Sequence, residues 1–212
     1  MAKQNNGING GYSGAVGTVI GYNLRGQWYM RARPRLVRNP GTSRQQSARG
    51  LLGSMSRLSS AMSQALRVGL RAEAVMRGMT ERNLFMHLNR PCFSQDGQGE
   101  WVVDYAGLCI SKGVLPGLEF GTVSVGPSGI LAAPFATAAA AGRASGDDEV
   151  RLYAFCPSLA EGRLSIPAWR RSQCVTLQLP DSWQGCRVYV YGFACSHPCV
   201  ASASSLVWDG MV

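Results

Sequence analysis

Carboxylates are nearly missing from the first ninety residues, which hold only Glu73 and Glu81, and cysteine is missing from them altogether. No carboxylate pair in the chain has a spacing that places it across a substrate, and the first half has no thiolate to hold a metal. Histidine occurs only as His87 and His197, and neither belongs to a recognisable nucleophile motif, so general-base catalysis has little to work with. The start, Met1 to Gly11, is polar and rich in Gly and Asn, without the apolar stretch of a secretory signal. The longest apolar stretch, Gly129–Gly142, is interrupted by Pro134 and is too short and weak to span a bilayer. RNP, KH and zinc-finger signatures are missing as well. These absences set the expectation of a non-enzymatic chain with no cofactor, no metal and no membrane span, located in the cytoplasm or, if phage-derived, in a particle.

What the first half does have is arginine. Residues 1–90 carry Lys3 and thirteen Arg against the two carboxylates, a formal +12, whereas residues 91–212 carry seven cations and ten anions, a formal −3. Such a split points to a polyanion, an acidic membrane surface or an acidic face on a neighbouring subunit. The planar guanidinium fork suits bidentate contact with phosphate or carboxylate and stacking on aromatic rings, which a lysine ammonium cannot match. All seven Cys lie in the second half. An odd count without a signal peptide favours reduced thiols, and Cys within apolar runs behaves as a small hydrophobe.

Along the chain, 46% hydrophobic and 16% charged residues describe a folded protein. The pattern predicts α+β: an N-terminal β-hairpin and two helices over residues 1–95, then an antiparallel β-sandwich of immunoglobulin or fibronectin type over 96–212. Ala15–Tyr22 alternates, Asn23–Gly26 turns, and Gln27–Arg33 returns with Trp28, Met30 and Ala32 on one face and Arg31 and Arg33 on the other. A two-stranded ribbon alone is marginal, so it should pack on the chain or on another copy. Thr42-Ser43-Arg44-Gln45 fits a capping box. From there Ala48, Leu51, Leu52, Met55, Leu58, Met62, Ala65, Leu66 and Gly69 form one apolar stripe. A second helix is predicted from Thr80 to about Leu88, burying Leu84, Phe85 and Leu88. Strands are predicted at 101–105, 107–111, 119–125, 149–156, 173–179, 187–194 and 200–208, with 131–146 as a long Ala-rich loop.

Several segments resemble an uncharacterised Bacteroidota family, a domain of unknown function. They are Gly14-Ala15-Val16-Gly17-Thr18-Val19-Ile20-Gly21-Tyr22-Asn23, Arg31-Ala32-Arg33-Pro34, and Asn39-Pro40-x-Thr42-x-x-Gln45 with Arg49. In the second half they are Ser111-Lys112-Gly113-Val114-Leu115, Val150-Arg151-Leu152-Tyr153, Val188–Phe193 and Ala201-Ser202-Ala203-Ser204. The resemblance implies a small N-terminal ribbon with helices, a fibronectin-like C-terminal half and no assigned activity. The Arg-Asn-Pro-x-Thr-x-x-Gln run is also loosely similar to segments of phage or mobile-element structural proteins.

The main candidate site is a basic stripe, Arg25, Arg31, Arg33, Arg35, Arg38, Arg44 and Arg49, interleaved with Trp28 and Tyr29 and near Tyr22. It could meet phosphates and stacked bases, or acids on another subunit. Gly11-x-x-Gly14-x-x-Gly17 precedes a strand rather than joining strand to helix, so it reads as structural glycines. Cys195-Ser196-His197-Pro198-Cys199 lacks the second knuckle of a structural zinc site. Asp147-Asp148-Glu149 reads as a solvated turn. The expectation is a structural protein that self-assembles into a homo-oligomer, such as a virion, phage-like particle or filament. The alternative is a nucleic-acid-binding protein that uses the arginine stripe.

Overall fold

The computed structural model describes residues 3–4, 10–36, 39–126, 129–137, 144–196 and 200–212. It is a mixed α+β chain with several antiparallel sheets and two compact units, residues 1–43 and 44–212.

The first unit is a sheet of four antiparallel strands in sequence order: β1 (Lys3–Gln4), β2 (Tyr12–Val16), β3 (Val19–Leu24) and β4 (Gln27–Ala32). The expected single strand over Ala15–Tyr22 is in fact two. The chain reverses at Gly17-Thr18, setting Val16 opposite Val19. Gly17 takes φ +56, a left-handed conformation that alternation of side chains cannot reveal. The next reversal is a two-residue loop, Arg25-Gly26, with φ 54 and 83, the pair of positive angles that matches strand twist in a tight hairpin. Asn23 Oδ1 accepts the Gly26 N–H at 3.0 Å.

The second unit opens with helices α1 (Ser43–Ala61), α2 (Ser63–Gly69), α3 (Arg71–Met76) and α4 (Glu81–Asn89), four segments where two were expected. Helical bonds run on across the joints, from Met62 N–H to Leu58 O at 2.9 Å and from Leu70 N–H to Leu66 O at 3.0 Å. Met55, Leu58, Met62, Ala65, Leu66, Leu70 and Ala74 are all buried. Their three- and four-residue steps run on through Met62 and Leu70, where the backbone departs from regular helical angles (φ −88, ψ 8 and φ −112, ψ −8), so periodicity reads one helix where the structure has three segments. α4 fits expectation closely: Thr80 Oγ1 accepts the Asn83 N–H at 3.2 Å, and Leu84 and Phe85 are fully buried. Leu88 is only partly buried.

A small hairpin, β5 (Phe93–Gln95) with β6 (Trp101–Val103), follows. The remaining strands are β7 (Leu118–Phe120), β8 (Ser124–Val125), β9 (Ile130–Thr137), β10 (Glu149–Cys156), β11 (Glu161–Leu164), β12 (Ala168–Trp169), β13 (Cys174–Gln178), β14 (Arg187–Ser196), β15 (Val200–Ala201) and β16 (Ser205–Met211). β10 and β14 are the centre of a six-stranded sheet, with β11 and β12 on β10, and β15 and β16 on β14. β9 is the centre of a four-stranded sheet with β7, β8 and β13. The loop expected over 131–146 is thus corrected for its first part. Alanines and Pro134 weigh against a strand, yet Leu131, Ala133 and Phe135 alternate into the core. Residues 138–143 lie outside the described ones. The strand expected at 107–111 is an irregular segment instead.

Two cores meet at the six-stranded sheet. Along β10 and β14 the even positions Val150, Leu152, Ala154, Val188, Val190 and Ala194 share a core with Leu131 and Phe135 of β9 and Val175 and Leu177 of β13. The odd positions Tyr153, Phe155, Tyr191 and Phe193 share the other core with Met62, Leu66, Leu84 and Phe85 of the helices. Strand alternation, which puts successive side chains on opposite faces, therefore serves two apolar layers at once.

Tyr153 and Tyr191 are buried on the helix side; their hydroxyls donate to Ala61 O at 3.4 Å and Tyr105 O at 2.6 Å. Burial pushes both phenols well above the ordinary tyrosine range, and Tyr105 is raised too, by burial and then by Tyr189. A raised acid pKa means that the folded state holds its protons more tightly. The stabilisation is complete below the ordinary range near 10 and is lost as pH climbs above it. In an ultraviolet pH titration, Tyr105, Tyr153 and Tyr191 should ionise late, together with loss of tertiary signal. Ionisation of Tyr105, Tyr153 and Tyr191 near pH 10 would contradict their burial.

The irregular segment 108–115 is held by side chains. Asn89 Nδ2 donates to Phe85 O and to Cys109 O, both at 2.9 Å, and its Oδ1 accepts the Cys109 N–H at 2.6 Å. Ser111 Oγ donates to Ser202 O at 2.6 Å, and Ser204 Oγ accepts the Ile110 N–H at 3.0 Å. Leu115 pairs with Ser202 in a parallel bridge. Two of the segments that carry the family resemblance, 111–115 and 201–204, thus form one seam that satisfies buried backbone groups.

Candidate functional site

The candidate residues fall in three places. Arg25 occupies the β3–β4 loop; Trp28, Tyr29 and Arg31 lie on β4; Arg33 and Arg35 follow it. Arg38 lies outside the described residues. Arg44 and Arg49 are exposed on α1, in the second unit. The stripe drawn from the sequence is therefore divided between units, and its coherent part is the ribbon.

Register assigns the ribbon's faces. Ile20 opposes Arg31, Tyr22 opposes Tyr29 and Leu24 opposes Gln27, so these six share one face. Asn23 opposes Trp28, Gly21 opposes Met30 and Val19 opposes Ala32 on the other. Arg31 lies opposite in face to Trp28 and Met30, as expected, but the aromatic set is split. Tyr22 and Tyr29 stand beside Arg31 while Trp28 does not. The two tyrosine rings stack at 5.6 Å between centroids with 20° between planes, and the Tyr29 hydroxyl donates to Gln27 Oε1 at 2.7 Å. Ile20, Tyr22 and Arg31 line a shallow depression. On the other face, Trp28 lies over Gly11 and Tyr12 over Gly21, where a Cβ would collide with each ring. The Gly-x-x-Gly-x-x-Gly run thus includes a seat for an aromatic ring and a turn, in line with its structural reading.

Every residue from Tyr22 to Leu36 is exposed. β4 is the outer strand of its sheet. The Arg33 N–H donates to Thr18 O at 2.7 Å, so by alternation the amides of Arg31, Tyr29 and Gln27 also point toward β3. Those of Trp28, Met30 and Ala32 point away from it, along an open edge.

In the second unit the acidic run is dispersed rather than pooled. Asp147 pairs with Arg171 at 2.9 Å, Asp148 with Arg170 at 3.2 Å and Glu149 with Arg151 at 2.6 Å. The solvated-turn reading fails for Asp148, which is buried with Arg170. The partner arrives from 22 positions later, with no local sign in the sequence. Of the Cys195–Cys199 cluster, residues 197–199 lie outside the described ones. Among the described residues, no three His, Cys, Asp or Glu side chains gather to hold a metal ion, and no helix is long and apolar enough to cross a membrane.

The chain belongs to a Family of unknown function (DUF6266), matched over residues 11–207. The match begins at the glycine beneath Trp28 and runs through the seam to β16. No curated protein and no solved structure matches the chain.

Proposed function

We propose that this chain is a non-enzymatic structural protein that assembles with copies of itself, in a virion, phage-like particle or filament. Its joining element is the open edge of β4. The observation that carries the reading is that edge: Trp28, Met30 and Ala32 turn unpaired backbone groups outward on a strand with all six residues exposed. An extended segment that adds to a neighbour's sheet gains main-chain hydrogen bonds for affinity and side-chain alternation for register. β4 can meet β4 of a second copy antiparallel about Met30, which within the strand brings Arg31 opposite Tyr29 rather than opposite another arginine. The larger unit is read as a sandwich of immunoglobulin or fibronectin type, supported by the core that β9 and β13 share with β10 and β14.

Light-scattering mass of the nuclease-treated protein at low and high salt tests this. A multiple of the chain mass that persists at high salt is expected, because strand pairing and apolar contact resist screening. A single-chain mass at every protein concentration overturns it.

A further inference from the structure

We propose that the ribbon face bearing Tyr22, Tyr29 and Arg31 is a binding site for single-stranded nucleic acid. Bases stack on the tyrosines and phosphates lie against the arginines. Three observations converge on it.

The first is the aromatic pair. Tyr22 and Tyr29 are 39% and 41% exposed, large fractions for rings already in contact with each other. Their 5.6 Å centroid distance belongs to offset stacking, which leaves part of each π face uncovered. Base stacking on such rings tolerates any sequence, since every base has a π face. Bases in a duplex are already stacked, so this surface selects unpaired strands.

The second is the placement of charge. Arg31 shares the face with both rings and borders the depression with Ile20 and Tyr22. Arg25 sits in the loop at one end of the ribbon, and Arg33 and Arg35 follow β4 at the other. A strand crossing the tyrosines would thus meet guanidinium groups on either side, each able to fork onto a phosphate.

The third is the lack of a balancing carboxylate. Residues 1–43 contain no Asp or Glu. Among the described residues the ion pairs use Glu73, Asp147, Asp148, Glu149 and Asp209, each with an arginine of the second unit, and none draws on Arg25, Arg31, Arg33 or Arg35. Another copy brings the same excess, since every chain adds a formal +9. Self-association therefore raises the charge that must be neutralised, and a polyanion lowers it.

Binding of a fluorescently labelled oligothymidylate to the full chain, followed by anisotropy across a salt series, tests the site. A duplex of equal length and poly-glutamate serve as comparison probes. Tight binding of the single strand over the duplex is expected. Tyr22→Leu with Tyr29→Leu, which keeps an apolar cross-strand pair, should weaken it about tenfold or more. Tyr22→Phe with Tyr29→Phe should restore it, which separates stacking from ribbon folding. Arg31→Gln should lower the salt slope by about one. Val16→Ser, on the opposite face, should leave binding unchanged. Equal affinity for duplex with no effect of the leucine variants overturns the proposal in favour of a merely basic surface. Binding only to poly-glutamate overturns it in favour of an acidic protein partner. Failure of the β4 edge to join copies leaves this site standing, because the face and the edge are distinct.

Discussion

Replacing Met30 by proline should leave a folded chain that scatters light as a single copy. The Met30 amide points away from β3, so proline there removes no bond from the β3–β4 ladder, and outward-facing edge positions are where proline is tolerated in sheets. It does remove a donor from the open edge and obstructs an incoming strand. Tyr29→Pro is the counterpart: its amide faces β3, and losing it should melt the ribbon itself. The pair separates edge from hairpin. Circular dichroism should match the parent for Met30→Pro, while the assembly is abolished. An assembly that survives Met30→Pro unchanged would mean that copies meet elsewhere or not at all.

The second large effect belongs to Asp148. It and Arg170 are 3% and 4% exposed. Arg170 Nη2 donates to Pro116 O at 3.0 Å, its backbone N–H donates to Asp148 O at 2.7 Å, and Asp148 Oδ2 also accepts the Ser145 N–H at 2.9 Å. Burial pulls the guanidinium pKa down, with Asp148 opposing. Asp148→Ala strands a desolvated cation and should cost about 3–5 kcal/mol, read from the urea midpoint. Replacing both residues by apolar ones should recover most of the loss, since the desolvation cost then disappears with the charge. Asp147→Ala, which breaks a pair whose side chains are 66% and 72% exposed, should cost about 1 kcal/mol or less. Equal costs for the two aspartates would contradict the buried pair.

Much of this fold is legible in the sequence where the signal is local. The run 149–156 alternates polar with apolar through Leu152, continues apolar to Cys156, and is β10 at the expected bounds. Thr80 announces α4, and Leu84 and Phe85 are its buried pair. What stayed hidden depends on residues far apart. The serines at 111 and 204 look like loop polarity until their hydroxyls are placed on backbone groups some ninety positions away, and the Ser202 hydroxyl accepts the Ala194 N–H of β14. β9 reads as an alanine-rich loop because its strand character lies in three inward residues and in its pairing with β13. The ribbon arginines are legible from composition and strand alternation. The stacked tyrosines needed the register, which is fixed once Arg25-Gly26 is taken as the two-residue loop, because residues equidistant from it must then face each other.

The seam has a consequence in time. Residues 108–115 emerge from the ribosome some ninety positions ahead of their hydrogen-bond partners at 201–204, and β10 likewise precedes its neighbour β14. The helices and first strands of the larger unit must therefore wait, unfinished, through the synthesis of most of its length. Residues 1–43 have no such delay, since β2, β3 and β4 pair only with near neighbours. The ribbon of a nascent chain can thus close its own sheet while the rest of its molecule is still being made, and under the proposed assembly its edge is open from that moment.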